Sequence, residues 1–90
     1  MATKRFEKRF ALKEATETFQ ALNEAFNPGV MVIDVYGEAI VDVCAQIETK
    51  EVKLQFIATA KTLVTKGVEI TSYYHRAIRR HCISLKWRIE

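Results

Sequence analysis

The run Asn27-Pro28-Gly29 divides the chain into two segments that do not share one kind of secondary structure. Proline disfavours helical geometry in the residue before it, and glycine permits a turn. Upstream, Leu12, Ala15, Phe19, Leu22 and Phe26 recur at helical spacing, with Glu14, Glu17, Gln20, Asn23 and Glu24 between them. Downstream, Val, Ile and Thr supply 18 of the 43 residues from 30 to 72, against 3 of the first 29. Branched Cβ atoms stiffen the chain and suit a pleated surface. Residues 4–11 read both ways: "RFEKRF" alternates like a strand, yet Phe6 and Phe10 sit four apart as on a helix.

Alternation supports strands in the second segment. Ala39, Val41, Val43, Ala45 and Ile47 fall on one side, with Glu38, Asp42, Gln46 and Glu48 mostly opposite. Val52, Leu54, Phe56 and Ala58 oppose Glu51, Lys53 and Gln55, while Ile83, Leu85, Trp87 and Ile89 oppose Ser84, Lys86 and Arg88. Turns are expected at Tyr36-Gly37-Glu38, at residues 48–51 and at Thr65-Lys66-Gly67, the last as a three-residue hairpin loop. The expectation is an α+β fold: an N-terminal helix, then a bent antiparallel sheet or small barrel of about five strands, at 30–36, 39–48, 51–64, 68–76 and 82–89. A small helical bundle is the rival. Ile33, Tyr36, Ile40, Val43 and Ile47 also make a helical stripe, and Val52, Phe56, Ala60, Leu63 and Val64 make a second.

Ninety residues form a single domain, 1–90, with a core small enough that association would help its stability. A hydrophobic share of 49% and a charged share of 28% suit a water-facing globule. No apolar run approaches the roughly 20 residues of a membrane helix, and none near the start resembles a secretory signal. No membrane partner and a cytoplasmic location are therefore expected. Cys44 and Cys82 have no metal-like spacing and read as buried thiols. No metal or cofactor is expected. Motifs for nucleophilic hydrolysis, zinc proteolysis and nucleotide binding are all missing, so the chain reads as a non-enzyme.

The formal net charge of +3 is uneven. Residues 1–29 hold five Lys/Arg and four Glu, residues 30–72 four Lys and six Asp/Glu, and residues 73–90 five Lys/Arg and one Glu. The excess centres on "YYHRAIRRH", where Tyr73, Tyr74, His75, Arg76, Arg79, Arg80 and His81 combine flat rings with cationic forks. Aromatic faces stack on unpaired bases and Arg binds phosphate, so this is the kit for single-stranded nucleic acid. Lys86 and Arg88 project from the face opposite the core-facing Trp87 and extend the candidate surface. The bland reading is a half-buried strand, with one Tyr in the core, the other on its rim, and the arginines paired with Asp34, Asp42 or Glu69. His75 and His81 lack further ligands for a metal. His81 and Cys82, as strand neighbours, point apart and make no nucleophile–base pair.

Local wording resembles the Sm-like family, which includes the bacterial RNA chaperone Hfq. The matching runs are "FQALNEAFNPGVMVIDVYG" from Phe19 to Gly37, Gln46-Ile47-Glu48, and "YYHRAI" from Tyr73 to Ile78. Ile78-Arg79-Arg80 stands where the Sm pattern has an aliphatic-Arg-Gly run, so its glycine is absent here. The resemblance implies a helix followed by five strands, and a ring of subunits binding uridine- or adenine-rich RNA. It would put Tyr74 and His75 near a nucleotide pocket, and Gln20 and Asn23 on a helix face that meets uridine.

Two functions are thus expected to compete: a single-stranded RNA- or DNA-binding domain, most simply an RNA binder, and a protein-interaction or assembly module that meets an acidic protein surface or inhibits a larger complex. A homo-oligomer is expected with either. Capture of a small phosphorylated ligand by Arg79 and Arg80 stays open beside them.

Overall fold

The computed structural model describes residues 5–26, 30–43 and 49–90. The elements run α1 (Lys8–Phe26), β1 (Val30–Val35), β2 (Glu38–Val43), α2 (Lys50–Leu63), β3 (Glu69–His75) and β4 (Arg80–Arg88). This is an α+β fold with an N-terminal helix and an antiparallel sheet, as the composition shift at residue 30 indicates. Among the described residues the sheet has four strands in the order β1-β2-β4-β3. These four form an open sheet with β1 and β3 as its edges, rather than a closed barrel. The expected strand 39–48 is described through Val43; residues 44–48, with the Gln46-Ile47-Glu48 run, lie outside the described residues, as do residues 27–29.

The strand expected over 51–64 is instead helix α2. A strand would turn Leu54 inward with Val52 and Phe56, whereas Leu54 is 54% exposed. The buried residues of this segment are Phe56 and Ala60, four apart. Thr49 caps the helix: its extended backbone lets Oγ1 accept from the Val52 amide at 3.2 Å. Glu51 in the first turn and Lys61 in the last match the helix dipole. The competing helical stripe read from Val52, Phe56, Ala60 and Leu63 is the one the chain follows here. A second helix therefore stands where the Sm-like order has a strand. Gly67 adopts φ 106, but Thr65-Lys66-Gly67 joins α2 to β3 rather than two strands.

Both helices lie on one face of the sheet. Ala39, Val41, Val43, Ile83, Leu85 and Trp87 all point that way and are fully buried with Ala11, Ala15, Leu22, Phe56 and Ala60. In α1 the buried positions Ala11, Ala15, Thr18 and Leu22 step by four and three, so the helix presents one narrow stripe of small residues and one Leu. The Phe26 and Phe56 rings meet at 4.8 Å between the two helices. The ambiguity at "RFEKRF" resolves as both readings in succession. Phe6 bridges in parallel to Ile89, its amide donating to the Arg88 carbonyl at 2.8 Å. The helix then starts at Lys8, stacking Phe10 on Phe6 at 5.8 Å.

The two hairpins end at opposite ends of the sheet. Val35 pairs with Glu38, leaving Tyr36-Gly37 as a two-residue turn with φ 45 and 76. Positive φ at both positions matches the right-handed strand twist. A Cβ at Gly37 would also sit 3.4 Å from the Ile89 carbonyl oxygen. At the other end, His75 pairs with Arg80 across the loop Arg76-Ala77-Ile78-Arg79. Glu38 pairs with Arg88 and Val43 with Ile83 in the β2–β4 register, which fixes this opposition.

Candidate nucleic-acid interface

The stretch 73–81 is neither a helix nor a single strand. It is the end of β3, a four-residue loop and the start of β4. Antiparallel pairing splits its side chains between the two faces of the ribbon. Tyr74 and His81 are cross-strand partners on the helix side, their rings meeting edge-on at 5.2 Å. Tyr73, His75 and Arg80 lie on the outer side, away from the helices. Arg76 and Arg79 occupy the loop, which Arg79 closes with φ 54.

Exposure decides between a packed ribbon and a presented one. Tyr73 is 42% and Tyr74 51% exposed, and Ile78 at the loop is 48% exposed. Neither tyrosine enters the core, contrary to a half-buried strand with one ring inside. Trp87, read as core from its alternation, is fully buried. The ion pairs also depart from the bland reading. Asp34 pairs with Lys8 at 3.4 Å and Glu69 with Arg88 at 3.4 Å. Among the described residues, no ion pair engages Arg76 or Arg79. No acidic residue occurs in the sequence between Glu69 and Glu90, so residues 70–89 supply the tip with no countercharge of their own.

Lys86 and Arg88 stand apart from this tip. Arg88 is eight residues along β4 from Arg80, about 27 Å for an extended strand. Both cations face outward, but into carboxylates. Arg88 meets Glu38 at 3.3 Å and Glu69 at 3.4 Å, and Lys86 meets Glu38 at 4.0 Å. This network ties β2, β4 and β3 together on the outer face. Its members are partly exposed, so each pair contributes no more than about 1 kcal/mol. Gln20 and Asn23 are exposed on α1, and no hydrogen bond or ion pair among the described residues links them to the hairpin.

Between tip and network lies Tyr73, whose pKa is raised above 10.0 by burial and, secondarily, by the Asp42 carboxylate. Its hydroxyl therefore remains a neutral donor throughout the physiological range. His81 and Cys82 point to opposite faces of β4, as expected of strand neighbours. Cys82 is fully buried but is disulfide-bonded, which corrects the expectation of a buried thiol. The sequence's other cysteine, Cys44, lies outside the described residues. Among the described residues there is no cluster of His, Cys, Asp and Glu able to hold a metal, and no helix long and apolar enough to cross a membrane.

Two features escape a reading of the sequence. One is the role of Glu14, a position that reads only as helix surface but whose carboxylate accepts hydrogen bonds from Thr65 and Trp87. The other is the loop geometry at Arg79, because a left-handed arginine has no sequence signature. No protein-family model, curated protein or solved structure matches the chain.

Proposed function

We propose that the chain is a non-enzymatic binder of single-stranded nucleic acid, RNA in the simplest case, that uses the tip of the β3–β4 hairpin. The observation that carries this reading is the joint exposure of Tyr73 and Tyr74 beside the loop cations Arg76 and Arg79. Rings on both faces of a ribbon suit a flexible strand that wraps the tip. A base stacks on Tyr73, and the backbone crosses the loop where the arginines meet phosphates. Stacking contributes about 1–3 kcal/mol per base without sequence preference. Residues 70–89 themselves contain no Glu or Asp to repel the polymer. Lys86 and Arg88 are already compensated by Glu38 and Glu69, so they contribute little beyond holding the sheet.

The test is anisotropy of labelled oligouridine and oligoadenine at two salt concentrations. Binding should weaken steeply with salt, since each phosphate contact releases counterions. Replacing Arg76, Arg79 and Arg80 by Ala should remove most of it, and Tyr73→Ala should weaken it about tenfold or more. Binding that survives the triple replacement rules out this interface.

One observation favours a second reading. Ile78 projects, half exposed, from the centre of the basic loop. An apolar residue ringed by cations is how a hairpin would anchor in an acidic protein surface. A stoichiometric protein partner captured after nuclease treatment, and lost with Ile78→Asp, would favour that reading. An RNA partner implies a cytoplasmic setting. The disulfide at Cys82 weighs against it, since such bonds persist mainly in oxidising compartments. A ring assembly of the Sm-like kind would have to accommodate α2, and the hairpin reading does not depend on it.

A further inference from the structure

We infer that two copies of the chain join through their β3 edges, antiparallel about a two-fold axis at Ser72, to make one continuous eight-stranded sheet. The sheet order leaves β1 and β3 as edges, and the two are built differently. Soluble proteins protect free edges with inward-pointing charges, Pro or Lys. Edge β1 has such a device: Asp34 pairs with Ala39 on the helix-facing side and is held by Lys8 of α1 at 3.4 Å. Edge β3 reads Glu-Ile-Thr-Ser-Tyr-Tyr-His, with no Pro, Lys or Arg and with Glu69 at one end as its one carboxylate. Six of its seven residues are exposed. Between the ends stand β-branched and aromatic residues, those best suited to a paired strand.

The sequence of this edge complements itself. With Ser72 opposite Ser72 of the second copy, Glu69 faces His75, Ile70 faces Tyr74 and Thr71 faces Tyr73. The pairs join carboxylate to imidazole, apolar to aromatic and hydroxyl to hydroxyl, combinations that suit neighbouring strands. All partners share parity. The amides and carbonyls that point away from β4 therefore meet their counterparts, and side chains on the helix face remain on the helix face. A shift by one residue would break both conditions. The interface is isologous and closes at two copies. It places the two basic loops at opposite ends of the seam, with the two His75 positions about 20 Å apart along it. A chain of 90 residues also gains from association, because its own core is small.

The deciding experiment is sedimentation equilibrium of the nuclease-treated 90-residue chain over a wide concentration range. The wild type should show a dimer of about twice the 10.4 kDa chain mass. Ser72→Lys and Ser72→Glu place like charges opposite each other at the axis, and each should raise the dimer Kd roughly tenfold. Mixing the two variants should restore a heterodimer, because only position 72 faces itself. As a check without substitution, the amides of residues 69–75 should gain hydrogen-exchange protection as wild-type concentration rises. A wild type that stays monomeric to millimolar concentration overturns the proposal. So does a dimer insensitive to both variants, or one whose protection falls elsewhere.

Discussion

The Trp87 indole N–H donates to Glu14 Oε2 at 2.7 Å, joining the last strand to the first helix across 73 residues. The same carboxylate accepts from the Thr65 amide at 3.1 Å and from the Thr65 hydroxyl at 2.6 Å. One side chain thus ties α1, the α2–β3 connection and β4 together. Hydrogen bonds to a charged acceptor are stronger than neutral ones, and a buried donor stripped of its acceptor incurs its full desolvation cost. Glu14→Ala should therefore destabilise the fold by about 3 kcal/mol. Glu14→Gln, which keeps one acceptor oxygen, should cost about half of that. Urea unfolding followed by the fluorescence of Trp87, the sole tryptophan, measures both. Equal, small losses would show that Glu14 is only a surface residue of α1.

Thr18 sits on the buried stripe of α1 at 2% exposure, and its hydroxyl has no hydrogen-bond partner among the described residues. A buried hydroxyl without a partner weakens the fold, whereas a methyl in its place fills the same volume. Thr18→Val should raise stability by about 1 kcal/mol and leave oligonucleotide binding unchanged. A shift of the thermal midpoint reads the first outcome and anisotropy the second.

The legibility of this fold in its sequence follows the kind of signal each segment carries. The first helix is readable because Leu12, Ala15, Phe19 and Leu22 face one way and Asn27-Pro28-Gly29 ends the pattern. Strand β4 is readable because Ile83, Leu85 and Trp87 alternate without a break. Helix α2 reads wrongly as a strand because Val52 and Phe56 fit period two and period four equally well; the burial of Ala60 and the exposure of Leu54 decide the matter. In the candidate site, the cluster at 73–81 stands out by composition. Its division between two faces depends on the register set by His75 opposite Arg80, a tertiary fact. Lys86 and Arg88 read as part of one surface for the same reason: Glu38 and Glu69, which compensate them, are distant in sequence.

Tyr73 gives the β3–β4 hairpin a pH signature. Burial, then the charge of Asp42, holds its phenol above 10.0, so the neutral form is the one the fold favours. A raised folded-state pKa means that this contribution is complete below pH 10 and is lost as pH climbs through the folded value. The difference in 295 nm absorbance between wild type and Tyr73→Phe should reveal a tyrosine ionising above its ordinary value. Asp42→Asn should lower that value without restoring it fully, since desolvation is the larger cause and remains. An unchanged titration would show that Asp42 does not act on the ring.

Arg79 separates the shape of the hairpin from its charge. Its φ of 54 is a left-handed conformation, which costs a residue with a Cβ about 1 kcal/mol and costs glycine almost nothing. If the arginine served only to close the loop, glycine would be the better residue in every assay. Arg79→Gly should raise the unfolding free energy by about 0.5–1 kcal/mol. It should also weaken oligonucleotide binding and reduce the salt slope by about 0.7, the share of one phosphate contact on a single strand. Arg79→Lys retains the charge and the strain, so it should largely keep the slope without gaining stability. Opposite movement of stability and affinity in the glycine variant identifies a cation held in a strained position for its contact. Stability and affinity rising together would show that the loop, and not its charge, is what position 79 supplies.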